Sequence, residues 1–228
     1  VTIGPFCTKP YTAGSYFNIS GMSFGAISKP AIRALSNGAA SSGCWLNTGE
    51  GGLSSYHLEG GCDIVFQIGS ANYGVRDENG ALSDKKLEEI AANNQVRMVE
   101  IKLSQGAKPG KGGILPGEKV NSEIAEIRGI PEGKDSISPN RHPDINNVGE
   151  LLGVIDRVRV VTGKPVGLKC VIGAYDWLDG LLNEIKEQGV ESAPDFITVD
   201  SGDGGTGAAP MALLDYVGLP IKESLPMV

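Results

Sequence analysis

The chain has 228 residues, 40% of them hydrophobic, enough for one large α/β domain or two small ones with a packed core. Its formal net charge of -7, with no basic arm, argues against nucleic acid or an anionic membrane surface as a partner. Apolar runs of only a few residues leave nothing to span a bilayer. The first residues, VTIGPFCTKP, lack the charged and apolar regions of a secretory signal. Cys7, Cys44, Cys62 and Cys170 form no C-x-x-C pair, so free thiols in a reducing cytoplasm are expected, and zinc or iron–sulfur ligation within this chain is not. The chain does not begin with Met, which leaves an upstream anchor open.

In chain order, Phe17–Ser20 reads as a short strand running into Gly21-Met22-Ser23-Phe24-Gly25. Ser28 caps a helix over about 29–41, with Pro30 in its first turn. Trp45–Asn47 is a second strand, ending in Thr48-Gly49-Glu50-Gly51-Gly52, and Ile64–Ile68 is a third. Ser83 caps a helix over 84–93, and Val96–Leu103 is a fourth strand. Residues 106–146 carry little periodicity, and a stretch that long without elements is usually functional. Asn147, three residues before Glu150, opens a helix with Val148, Leu151, Leu152, Ile155 and Val158 on one face. Pro165–Lys169 is a fifth strand; Trp177, Leu178, Leu181, Leu182 and Ile185 mark a helix closed by Gly189. Phe196–Val199 is a sixth strand, followed by a glycine-rich loop over 200–207 and a helix over 209–217.

Glycine makes up 33 of the 228 residues, against a usual ~7%, and it gathers at strand ends. Strand, glycine-rich loop and helix, repeated, imply parallel strands with right-handed crossovers. The first such loop, GMSFGAIS, does not match G-x-G-x-x-G, which lowers the dinucleotide-fold reading. Polar residues after nearly every strand favour a (β/α)8 TIM barrel, whose chemistry gathers at the C-terminal strand ends. Only six strands are legible. The sequence therefore predicts one barrel domain over 1–228, incomplete at about six βα units, with the C-terminal units missing.

The loop Gln105-Gly-Ala-Lys-Pro-Gly-Lys-Gly-Gly113 has the look of a phosphate cradle but fails the P-loop pattern. If the fourth strand ends at Leu103, then Gln105, Lys108, Lys111 and Lys119 surround the barrel mouth and favour a small dicarboxylate. Glu50, directly after a strand, can orient an amine or act as acid or base, and is equally readable as a solvated loop residue. Lys169, ending the VGLK strand, would stabilise a developing anion. The 200–207 loop can turn N–H groups toward an anion, while Asp203 within it would accept from hydroxyls. His57 and His142 read as surface or loop residues rather than metal ligands, and no metal site is expected.

Taken together, GMSFGAIS, NTGEGG, QGAKPGKGG-x-LPG-x-KV, SISP, VGLK and SGDGGTGAAP resemble, in the same order, the FMN-binding synthase domain of glutamate synthase, over about residues 19–220. More narrowly, the chain resembles the stand-alone FMN-binding glutamate synthase family proteins. The resemblance implies a barrel holding FMN, in which reduced flavin delivers a hydride to 2-iminoglutarate, formed from 2-oxoglutarate and ammonia, to give L-glutamate. It implies that Gly21, Met22 and Ser23 line the flavin, with Lys169 beside its pyrimidine end, where a positive charge stabilises the anionic reduced ring. Glycines 202, 204 and 205 and Thr206 match a loop at the flavin face. Glu50, Gln105, Lys119 and Ser138 match positions near 2-oxoglutarate, and Glu50 and Lys169 are the catalytic candidates.

The segment Pro139-Asn-Arg-His142 departs from the family's proline-rich version. No glutaminase domain is expected in this chain, so ammonia would come from solution or from a glutaminase subunit. An electron-donor subunit is a further expected partner, and the family's iron–sulfur cluster would belong only to the full-length protein. A non-catalytic or regulatory barrel binding FMN and 2-oxoglutarate, and an N-methylglutamate synthase-type enzyme, stay open as alternatives. By themselves, the 228 residues are expected to bind FMN weakly, since six strands leave open sheet edges.

Overall fold

The computed structural model describes residues 1–174 and 176–228. It opens with an antiparallel pair, β1 (Thr2–Ile3) and β2 (Tyr11–Thr12), followed by α1 (Lys29–Ser42), β3 (Leu46–Asn47), α2 (Ser55–Leu58), β4 (Ile64–Ile68), α3 (Asp84–Ala91) and β5 (Val96–Lys102). An excursion then holds β6 (Ile114–Leu115), α4 (Ser122–Arg128) and β7 (Ser136–Ile137). The alternation resumes with α5 (Val148–Thr162), β8 (Val166–Val171), α6 (Asp176–Gln188) and β9 (Ile197–Asp200), and α7 (Ile221–Ser224) lies near the end.

Five strands make one parallel sheet in the order β3-β4-β5-β8-β9, and Ile19 adds a parallel bridge to Leu46 at its edge. Neighbours in space follow chain order throughout. A doubly wound sheet reverses its order at a switch point, whereas a barrel does not. The sheet is the curled half of a (β/α)8 barrel, as the sequence predicts.

Pairing register sorts the side chains. Gln67 pairs with Glu100, Glu100 with Gly167, Lys102 with Lys169, and Lys169 with Thr198, so these residues share the inner face. Their sequence neighbours Ile64, Phe66, Ile68, Val99, Ile101, Leu168 and Cys170 face outward into the core shared with Leu87, Leu151, Leu152, Ile155 and Leu181 of the helices. The barrel floor is a second apolar cluster of Tyr11, Val65 and Met98, with Ile3, Trp45 and Phe196 against it. Gly167 makes room for it, because a Cβ there would lie 2.5 Å from the Phe196 ring.

The structure corrects four expectations. Phe17–Ser20 is not a strand: only Ile19 bridges, Phe17 is 88% exposed, and the Asn18 side chain accepts from Trp45 N–H at 3.0 Å in place of a second ladder rung. The 106–146 stretch is not elementless. Ile114 and Leu115 pair antiparallel with Ile137 and Ser136, and α4 runs from its Asn121 cap to a left-handed Gly129. Two-residue strands and a seven-residue helix are too short to show a period.

The helix expected over 209–217 is absent. Single turns form there, with Ala209 N–H on Thr206 and Leu213 N–H on Pro210, and Asp215 adopts φ 61. A left-handed non-glycine residue stops helical propagation. Met211 (80% exposed) and Tyr216 (81%) find no face to pack on, and packing is what stabilises a short helix. The glycine loop therefore does not run into a helix N-terminus. Finally, His57 and His142 are buried, His57 completely.

Candidate active site

The site rests on a polar tier inside the barrel. Glu100, 2% exposed, accepts hydrogen bonds from Asn47 Nδ2 (2.8 Å), Gln67 Nε2 (2.6 Å) and Thr198 Oγ1 (2.6 Å). Donors from three other strands, β3, β4 and β9, satisfy one carboxylate, as burial requires. Asn47 Oδ1 also accepts from Gly49 N–H (2.9 Å), which ties the tier to the loop carrying Glu50.

Above it, strand alternation brings Lys102 to the rim. Its Nζ lies 3.3 Å from Glu50 Oε1 and donates to Gln105 Oε1 at 2.9 Å. Lys108 Nζ stands 3.8 Å from the same Glu50 oxygen, and its side chain is only 4% exposed. Gly69 and Gly113 close around the carboxylate: a Cβ added at either would lie 2.6 Å or 3.0 Å from an oxygen of Glu50. Burial pushes the Glu50 carboxyl up, but the charges of Lys102 and Lys108 outweigh it and hold it below its ordinary value. Burial lowers Lys102, opposed by Glu50 and aided by Lys108 and Lys169. Ser138, buried, donates its N–H to Gly113 O at 2.9 Å, and its Oγ would lie 3.5 Å from a Cβ on Gly113.

The 21–25 loop lies against the 49–52 loop. Gly49 takes φ +63, and a Cβ there would sit 2.8 Å from Ser23 N; a Cβ on Gly21 would sit 3.2 Å from Gly49 Cα. Met22 N–H donates to Asn47 O (3.0 Å). His57 pins the same segment: its Nε2 lies 2.8 Å from Met22 O, and its Nδ1 lies 2.7 Å from Ser54 Oγ. Burial lowers the His57 pKa, which keeps the ring neutral in this structural role. His142 Nε2 bonds Lys102 O at 2.9 Å and so braces the end of β5. Arg128 reaches in from α4, donating to Ser136 Oγ (2.9 Å) and Phe24 O (3.4 Å).

Across the rim, Lys169 Nζ stands 3.7 Å from Asp200 Oδ2, which accepts from Gly106 N–H at 2.8 Å. Gly202 is locked beneath the Gly218 backbone. Gly204, Gly205 and Thr206 are exposed; a Cβ on Gly204 would meet nothing within 4 Å, and one on Gly205 only Leu214 at 3.5 Å. Asp203 is held by Ser201 Oγ at 2.7 Å.

Glu50, Gln105 and Lys169 thus share one rim, joined through Lys102, and Ser138 and the 21–23 loop adjoin them. Lys119 does not join: it is exposed on a turn and enters no ion pair among the described residues. Sequence reading missed Lys102, Asp200 and Arg128. Lys102 was findable, since it alternates with Glu100 and Met98 on one strand face.

Two ammonium groups face one carboxylate at Glu50, while Lys169 and Asp200 offset each other. The rim therefore carries surplus positive charge on largely buried side chains, a setting that attracts a carboxylate and offers it directed donors. Among the described residues, no group of three or more His, Cys, Asp or Glu is placed to hold a metal ion, and no helix is long and apolar enough to cross a membrane.

A profile of the family described as "Conserved region in glutamate synthase" matches residues 7–228. The chain is 44% identical over 223 residues to the glutamate synthase large subunit-like protein YerD of Bacillus subtilis, covering 97% of this chain and 42% of that protein. It is 38% identical over 209 residues to an archaeal-type glutamate synthase [NADPH] of Dehalococcoides mccartyi, covering 92% and 38%. A glutamate synthase large subunit-like protein of Rhizobium meliloti is 33% identical, with 94% of this chain and 45% of that protein covered. The chain spans about two-fifths of the length of these curated relatives.

Proposed function

The chain belongs to the glutamate synthase family, and from that premise we propose that it is the flavin and 2-oxoglutarate half-barrel of an oxidoreductase that reduces 2-iminoglutarate to L-glutamate. The observation that carries the reading is the single cluster of Glu50, Lys102, Lys108 and Gln105, with Lys169 on the same rim.

What supports a flavin here is backbone left bare: glycines at 21 and 49 let the 21–23 and 49–52 loops pack closely, and the Gly204–Thr206 backbone is open to a ligand. Gly21, Met22, Ser23, Gly204, Gly205, Thr206 and Lys169 would hold FMN, and Gly202 would anchor their loop. When bound, FMN supplies the hydride equivalent. Lys102 and Lys108 would grip the substrate carboxylates, with Gln105 and Ser138 donating beside them. Glu50, held ionised by the two lysines, would orient the iminium nitrogen by accepting a hydrogen bond from its N–H. Lys169 would stabilise negative charge at the edge of the reacting ring.

The test is made on the intact protein. It should be yellow, bleach with a reductant, and recover its colour on addition of 2-oxoglutarate and ammonia, with glutamate formed. NADPH, which appears in the name of the Dehalococcoides relative, is the donor to try first. A colourless folded protein, or flavin that 2-oxoglutarate binds near but never reoxidises, would refute the assignment.

A further inference from the structure

The opposite end of the barrel holds a cavity of about 280 Å³ lined by Lys9, Pro10, Ala91, Ala92, Asn94, Val96, Arg97 and Lys164. Its parts come from three places at the N-terminal strand ends: the turn out of α3 into β5, the residue before Pro165 and β8, and the segment before β2. Lys9 N–H donates to Gly163 O at 2.8 Å, which fixes that segment beside Lys164.

Among the described residues three cations line this cavity and no carboxylate does, in a chain whose net charge is -7. Of the three cations Asp63 approaches Arg97, at 3.7 Å, while accepting from the Tyr11 hydroxyl at 2.9 Å; the Arg97 guanidinium donates to Asn94 O at 3.4 Å and lies 5.5 Å from the Tyr11 ring. Lys164 is 6% exposed, and its ammonium donates to the carbonyls of Val96 and Asn93. Those bonds place the charge but do not neutralise it. Burial, then the charges of Lys9 and Arg97, bring the Lys164 pKa down to about 8. A group under that pressure is relieved by an anion.

We propose that this basal cavity binds a compact oxyanion of the phosphate class, held by Lys9, Arg97 and Lys164. Two lysines and one arginine line a single cavity, the donor set that recognises a tetrahedral dianion. Pro10, Ala91, Ala92, Asn94 and Val96 supply the remaining walls. The site is separate from the rim, so it does not depend on the flavin reading.

Calorimetric titration of the intact protein with phosphate, sulfate and glycerol phosphate tests it. Saturable one-to-one binding is expected, and comparison of phosphate with glycerol phosphate distinguishes a free anion from a phosphate ester. Lys9→Gln and Arg97→Gln should each weaken binding about tenfold or more, as loss of a charge-assisted hydrogen bond does. Sulfate, which does not titrate itself, should take up protons on binding near pH 8 as Lys164 regains its charge, and should bind less well above that pH. If Lys164→Met fails to fold, Lys9→Gln still decides, because Lys9 is exposed. Non-saturable binding, or equal affinity in wild type and both glutamine variants, would overturn the site and leave Lys164 as a cap on the carbonyls after α3.

Discussion

Outward from the sheet, β4 and β5 hand Ile64, Phe66, Ile68, Val99 and Ile101 to the surrounding helices; inward, one position away on the same strands, stand Gln67, Glu100 and Lys102. Complete barrels of this kind usually fill their interior with branched apolar layers. Here only the floor around Val65, Met98 and Phe196 is apolar, and the tiers above it are polar. The outer face supplies burial that any well-packed set of hydrophobes could supply. The inner face supplies directed hydrogen bonds that depend on particular atoms. Apolar packing and directed hydrogen bonding are thus divided between alternate residues of the same strands.

Mutations on the two faces should fail differently. Phe66→Ala empties a fully buried outward site and should lower unfolding free energy by about 3–5 kcal/mol in urea, while the variant that remains folded keeps its kcat/KM. A comparable loss of kcat/KM would break the division. On the inner face, Glu50→Gln removes the charge that Lys102 and Lys108 surround. The intact protein should lose roughly 10²–10³-fold in kcat/KM, as when one positioned electrostatic partner is deleted.

The pH dependence of Glu50 follows from its lowered pKa. A carboxyl depressed below its ordinary 4.5 stabilises the fold fully above that value, and the contribution disappears as pH falls through the depressed one. The stability difference between wild type and Glu50→Gln should therefore be constant from neutral pH to about 5 and shrink below it, measured by urea unfolding across that range.

The outer face was legible and much of the inner face was not, for a physical reason. Hydrophobic runs such as Ile64–Ile68 and the 3.6-residue stripe of α5 announce themselves locally, and both elements stand where the sequence placed them. Asn147 caps α5 by accepting from Glu150 N–H, as its spacing predicts, although the Glu150 carboxylate reaches back to Asn146 rather than to Asn147. Glu50, Gln105 and Lys169 were recognisable because glycine-rich strand ends mark a rim. Lys102 and Asp200 take their meaning from partners far along the chain, the Asp200 bond to Gly106 crossing 94 residues, and no local pattern carries that. Met211–Val217 shows the opposite error: a pattern that looks helical has no face to bury.

Glu100→Gln probes the join between the two regimes. Gln keeps the volume, and its amide can face Thr198, whose hydroxyl rotates to accept; what is lost is the negative charge that all three donors meet. A loss of about 1–3 kcal/mol is expected, larger than an exposed Glu would give. A neutral outcome would mean that hydrogen-bond geometry rather than charge holds this tier, and the inner face would then be less electrostatic than its arrangement implies.

The smallest effect tests whether local signals act independently of either face. Asn147→Ala removes only the side-chain acceptor for Glu150 N–H, at 2.9 Å, at an exposed helix start. It should cost about 1 kcal/mol and leave the rim unchanged. Because α5 packs Leu151, Leu152, Ile155 and Val158 into the outer core, fraying of its first turn should spread no further than that turn. Hydrogen exchange should therefore quicken at 148–151 and stay slow at 155–158. Faster exchange through Val158 would mean that the cap, rather than the apolar face, holds α5 on the sheet.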